Sequence, residues 1–119
     1  MTQGGVDELR LRLRAFARER DWEQLHTPKN LVMALAGEVG ELLEVFQWLT
    51  PEQAAEVMDS GRADDVRDEL ADVTIHLVRL TDMLGIDLLE VAHTKLGRNH
   101  DRFTPGDVHG RADVPPSPR

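Results

Sequence analysis

The chain has 119 residues, with 22 acidic against 14 basic side chains, a formal net charge of -8 and no cysteine. That length suits one domain around a single core, and the lack of thiols excludes disulfides and thiolate metal sites. The negative surplus argues against a broad nucleic-acid or anionic-membrane surface, yet it admits a small anionic substrate screened by a cation.

No apolar run reaches the ~18 residues of a membrane span, and MTQGGVDELR lacks the basic-then-apolar order of a secretory signal, so a soluble, cytoplasmic protein is expected. Taken in order, residues 7 to about 21 place Leu9, Leu13, Phe16 and Ala17 at helical spacing, which predicts an amphipathic first helix. Thr27-Pro28 sets a capping hydroxyl before a proline at the first helical position, predicting a second helix over residues 28 to about 48. Thr50-Pro51 repeats the device for a short helix to about Met58, which Ser60-Gly61 ends. A fourth helix fits residues 63–84 with Gly85 as its stop, and Asp87 caps a fifth that runs to about Arg98. Strand signals are absent, so the expected class is all-α, a bundle of four to five helices over residues 1–103. Residues 104–119, TPGDVHGRADVPPSPR, are expected to be a disordered tail.

Advancing ~100° per residue puts Leu31, Leu35, Val39, Leu42 and Phe46 on one arc of the second helix, with Glu38 at its edge and Glu41 further round. In the fourth helix, Val73, Leu77, Leu80 and Leu84 define the expected buried arc, flanked by Glu69, Asp72 and His76. A single acidic pair at this spacing is usually a solvated face, as Asp64, Asp65 and Asp68 are expected to be. Two pairs beside the packed sides of the two longest helices are harder to dismiss, because each desolvated carboxylate costs several kcal/mol unless it is paired or metal-bound. Lys29, Arg67 and Arg79 are the few cations on these helices. A hard divalent cation resolves the conflict, and Mg²⁺, with Mn²⁺ as a substitute, suits an all-carboxylate set completed by water and phosphate oxygens.

The stretch RDWEQLHTPKNLVMALAGEVGELLEVFQW, followed by DELADVTIHLVRL and KLGRNHDRF, resembles the MazG-like all-α nucleoside triphosphate pyrophosphohydrolases, most closely their dCTP pyrophosphatase branch. The family pattern ExxE, a spacer, then ExxD is matched by Glu38-Val39-Gly40-Glu41 and Glu69-Leu70-Ala71-Asp72. The resemblance covers residues 9 to about 103. It implies Mg²⁺-dependent hydrolysis between the α- and β-phosphates of a dNTP to a monophosphate and pyrophosphate, a nucleotide-pool sanitising activity, with Glu38, Glu41, Glu69 and Asp72 as metal-holding catalytic residues. It further implies a base pocket walled by Trp22 and Trp48 with His26 and Asn30 nearby, and phosphate contacts from Lys95 and Asn99 assisted by Arg102. Read without it, the tryptophans are core residues and the cations ordinary surface charges.

Two positions depart from the branch: His76 stands where Tyr is usual, and Leu13 where the animal enzymes carry His. His76 is therefore expected to contact sugar or base in place of that Tyr, and dCTP, its 5-modified forms, dUTP or a wider set of damaged nucleotides all stay open as substrates. Val32, Ala36 and Leu43 give the second helix a further apolar strip, which a small bundle cannot cover alone. Self-association is expected, and the resemblance implies a homotetramer, a dimer of dimers whose neighbouring subunits complete each site. The alternative reading is a non-catalytic helical module whose acids bind structural metal or a basic partner.

Overall fold

The computed structural model describes residues 4–112. Among the described residues there are α-helices α1 (Val6–Glu19), α2 (Pro28–Phe46), α3 (Pro51–Ala55), α4 (Ala63–Met83), α5 (Leu88–Arg102) and α6 (Pro105–Val108), with 3-10 turns at Glu23–Leu25 and Val57–Asp59 and no strand. They form two compact units, one ending at Gly85 and one beginning at Ile86.

In the first unit α2 lies along α4, and α1 packs on α4 as well. Both proline-led helices start as their sequences require. The Thr27 hydroxyl accepts from the Asn30 amide at 3.2 Å. Thr50 forms a full capping box with Gln53, whose side chain returns to the Thr50 amide at 2.9 Å. Gly85 takes φ 69°, the left-handed conformation that stops α4 without a Cβ clash. Asp21 adopts φ 56° at the end of α1. There the Trp22 amide reaches back to the Ala17 carbonyl at 2.9 Å and the Asp21 amide to that of Arg18 at 3.1 Å, a Schellman pair that fixes where Trp22 leaves the helix.

The core gathers Val45 of α2, Val57 of the second 3-10 turn and Val66 of α4, with Phe46 and Leu49 against them. Burying each valine contributes about 2 kcal/mol relative to exposing it. The buried part of α4 differs from the expected stripe: Val66, Val78, Arg79, Leu80 and Thr81 are buried and Leu84 is exposed. A helix that meets both α1 and α2 buries more than one face, and a single-arc reading misses the second. Val39, assigned to the packed arc of α2, is also exposed. The apolar strip of α2 is open in the single chain, with Val32 51% and Leu43 59% exposed.

Residues 86–112 differ most from expectation. The glycine stop of α4 is followed at once by a new cap, in which Asp87 accepts from the Glu90 amide at 3.1 Å. From that cap α5 continues to Arg102, one turn past Arg98, since nothing before Thr104-Pro105 interrupts it. Pro105–Val108, expected to lack structure, form one helical turn started by the Thr104-Pro105 pair. The remainder of the expected tail, residues 113–119, lies outside the described residues.

Candidate functional site

Glu38 and Glu41 sit one turn apart on α2, and Glu69 and Asp72 one turn apart on α4. Because these helices lie side by side, the two pairs converge, and one carboxylate oxygen from each of the four residues lies within 4.8 Å of the others. Glu38 and Glu69 each keep a buried Oε2 with no hydrogen-bond partner. Burial first, then hydrogen bonding to Glu41 and the charges of Glu41, Glu38 and Asp72, pushes the Glu69 carboxyl up to about 7. Glu38 is raised as well, by burial and then by Glu41 and Asp72. The arginines of α4 are engaged elsewhere: Arg67 bonds Asp64 at 3.0 Å, and Arg79 bonds His26 and Asp82. Asp64, Asp65 and Asp68 form the expected solvated face.

The other expected contacts of the first unit gather at the junction of α1 and α2. Trp22 packs edge-on against Phe16, ring centroids 5.7 Å apart, and against His26 at 6.5 Å. Arg20 covers the other partner, its guanidinium 3.6 Å from the Phe16 centroid. Asn30 is a brace for this turn: its side-chain amide donates to the Leu25 carbonyl at 3.0 Å. His76, one turn after Asp72, donates from Nδ1 to the Asp72 carbonyl at 2.7 Å. Burial first, then the Arg79 charge, holds His26 below the ordinary histidine range. Neither tryptophan is a core residue: Trp22 is 43% and Trp48 86% exposed. Trp48 stands just beyond the end of α2. In the second unit Lys95, Asn99 and Arg102 share one stripe of α5 by their spacing. Leu13 is part-buried on α1.

An arginine–aspartate network joins α1, α4 and the turn before α2. Asp82, its side chain 6% exposed, accepts two bonds from Arg14 of α1 at 2.7 and 2.6 Å and one from Arg79 at 3.3 Å, with Arg10 at 3.9 Å. Arg79 is itself only 5% exposed and donates from Nε to His26 Nδ1 at 3.0 Å. The only signal in the sequence was the Arg79–Asp82 spacing; the reach to Arg14 and His26 needs the fold.

A helical pair presenting ExxE against ExxD, with the match spanning residues 34–107, places this chain in the MazG-like family, to which it belongs. Within that family it is similar to dCTP pyrophosphatase 1 of Mus musculus, 39% identical over 99 residues that cover 82% of this chain and 58% of that protein. The human protein of the same name is 40% identical over 99 residues, with the same coverage. The chain therefore spans a little over half the length of these curated relatives. Its fold is also similar to the crystal structure of a pyrophosphatase from Archaeoglobus fulgidus DSM 4304, with a TM-score of 0.79, 36% identity and coverage of 87% of this chain and 96% of that one.

Proposed function

We propose that the chain is a Mg²⁺-dependent nucleoside triphosphate pyrophosphohydrolase that cleaves a dNTP between its α- and β-phosphates, with dCTP or a modified dCTP as the preferred substrate. The observation that carries this reading is the acid quartet: four carboxylates held together by two packed helices, two of them with a buried oxygen left without a partner. Such an arrangement is unfavourable by itself, and hard oxygen donors in this number fit a divalent cation. Similarity to proteins named dCTP pyrophosphatase 1 and to one described as a pyrophosphatase supplies the reaction class.

In this reading Glu38, Glu41, Glu69 and Asp72 hold Mg²⁺, or Mn²⁺ in its place. When bound, the cation neutralises triphosphate charge and lowers the pKa of attacking water. The chain's own groups do the rest. Trp22 and Trp48 offer ring faces to a base; Trp22 is braced by Phe16, while Trp48 is open enough to be completed by a neighbouring subunit. His26 and His76 offer ring nitrogens to the nucleoside, and Asn30 acts by holding the turn that carries His26. Lys95, Asn99 and Arg102 present one cationic and polar stripe suited to phosphate oxygens.

The open strip of Val32 and Leu43 supports self-association as a homotetramer, which sedimentation would register directly. The domain responsible spans residues 1–103, and pool sanitation in the cytoplasm is the setting the reaction implies; among the described residues no helix is long and apolar enough to cross a membrane. The deciding experiment incubates the purified protein with canonical and modified dNTPs and Mg²⁺, measuring pyrophosphate and orthophosphate separately. Pyrophosphate in one step is expected; γ-phosphate released first as orthophosphate overturns the reaction, and no turnover of any nucleotide favours the non-catalytic module.

A further inference from the structure

The chain of bonds from Arg14 through Asp82 and Arg79 ends on a ring nitrogen, and that end has a chemical consequence. Arg79 Nε carries a hydrogen and can only donate, so His26 Nδ1, 3.0 Å away, must accept. A neutral imidazole accepting at Nδ1 carries its proton at Nε2. We propose that Arg79 is a positioning residue that locks His26 in the Nε2–H tautomer, so that this ring offers a hydrogen-bond donor to a carbonyl oxygen or unprotonated ring nitrogen of the bound base.

Three observations converge on this assignment. First, Arg79 has no freedom to turn away: it is 5% exposed and its NH1 is tied to Asp82 at 3.3 Å, which is held in turn by two bonds from Arg14. A guanidinium pinned at one end presents its Nε–H in a fixed direction. Second, His26 stands beside Trp22, ring centroids 6.5 Å apart, and Trp22 is one of the two rings proposed to meet the base. Third, the imidazolium form would turn Nδ1–H against Arg79 Nε–H, and burial together with the Arg79 charge already disfavours it. The orienting group thus lies on α4 while the group it orients lies on the turn before α2. The proposal deepens the pyrophosphohydrolase reading and its substrate half rests on that reading.

The substitution Arg79→Lys separates charge from donor. Lysine keeps a cation beside Asp82 but places a methylene where Nε–H stood, so the buried pair survives and the bond to His26 is lost. Long-range proton–nitrogen spectra of the histidine-labelled protein should show His26 protonated at Nε2 and not at Nδ1. In Arg79→Lys the same ring should revert to a mixture of tautomers while the thermal midpoint changes little. With dCTP and Mg²⁺, KM should rise about five-fold and kcat should stay within about two-fold, as loss of one bond shared by ground and transition states requires. Arg79→Met, which also removes the charge, should raise KM equally and lower the thermal midpoint. His26 protonated at Nδ1 in the unaltered protein overturns the lock, and so does an unchanged KM in Arg79→Lys. Absence of turnover in the unaltered protein overturns the parent reading instead, and the spectra still decide the tautomer.

Discussion

Two stretches of α4 handle buried carboxylates in opposite ways. At Asp82, near its C-terminal end, Arg14, Arg79 and Arg10 surround one carboxylate and hold it below the ordinary aspartate range, the hydrogen bond from Arg14 being the largest cause. At Glu69, nearer its start, burial and then the neighbouring carboxylates of Glu41, Glu38 and Asp72 push the carboxyl up to about 7. The same helix therefore carries one charge site that is complete and one that lacks its counter-charge. Completed charge networks position structure; a carboxylate cluster with partnerless oxygens fits the divalent cation proposed above.

The contrast can be broken most severely at the incomplete site. Glu38→Gln and Asp72→Asn should each lower Mg²⁺-dependent pyrophosphate release by roughly 10²- to 10³-fold, the loss expected when a cation supplying several kcal/mol of transition-state stabilisation is no longer held. Their helical circular dichroism should be unchanged, because neither side chain belongs to the valine core. Full activity in both variants would remove the metal site from the proposal.

At the complete site the expected loss is stability. Asp82→Ala leaves the buried Arg79 guanidinium without its carboxylate, a change that costs about 3 kcal/mol where a buried pair loses one member. Urea unfolding at fixed pH measures it. A change within error would mean that the network is an ornament of the surface, and the comparison between the two ends of α4 would fail.

Much of this contrast is invisible in the sequence, for physical reasons. Thr27-Pro28, Thr50-Pro51 and Gly85 are local signals whose chemistry is completed within four residues, and each marks an element boundary in the structure. The ExxE and ExxD pairs are also local, and their convergence needs only that the two longest helices pack. Arg79 is different: its partners are Asp82, three residues away, and His26, fifty-three residues away. No periodicity reports on that second bond, so the arginine reads as a neutraliser for the nearby acids. The burial of Val78 and Thr81 escapes periodicity likewise, since it depends on α4 meeting two helices at once.

Acidity should separate the two sites further. Asp82 has a depressed pKa, so the folded state binds fewer protons there; its stabilisation is present above an unfolded value of ~3.9 and is lost only as pH falls through the lower folded value. Glu69 has the opposite sign. In metal-free protein its contribution favours folding below an unfolded value of ~4.3 and is lost as pH rises towards about 7, because the folded state then binds more protons than the unfolded one. Metal-free unfolding midpoints should thus decline between about pH 4.5 and 7, and saturating Mg²⁺ should remove that decline by replacing the proton. The Glu69→Gln variant should show a smaller step, the remainder coming from Glu38, which its own burial and then Glu41 and Asp72 raise. A decline of undiminished size in Glu69→Gln would assign it to another group.

The smallest effect is expected at His76, which stands between the two sites. Its Nδ1 donates to the Asp72 carbonyl at 2.7 Å, so a neutral ring keeps Nε2 as a lone acceptor, complementary to the donor proposed for His26. If this acceptor meets the nucleoside, His76→Ala should raise KM for the preferred nucleotide by about three- to ten-fold, the worth of one ordinary hydrogen bond, with kcat lowered less. His76→Tyr should keep activity, since a tyrosine supplies both a ring and a polar tip, and should move preference towards cytosine nucleotides. Steady-state kinetics on one dNTP panel distinguishes these outcomes from a packing role. A histidine that only fills space beside Leu80 would leave KM and base preference unchanged in both variants and lower the thermal midpoint of His76→Ala alone.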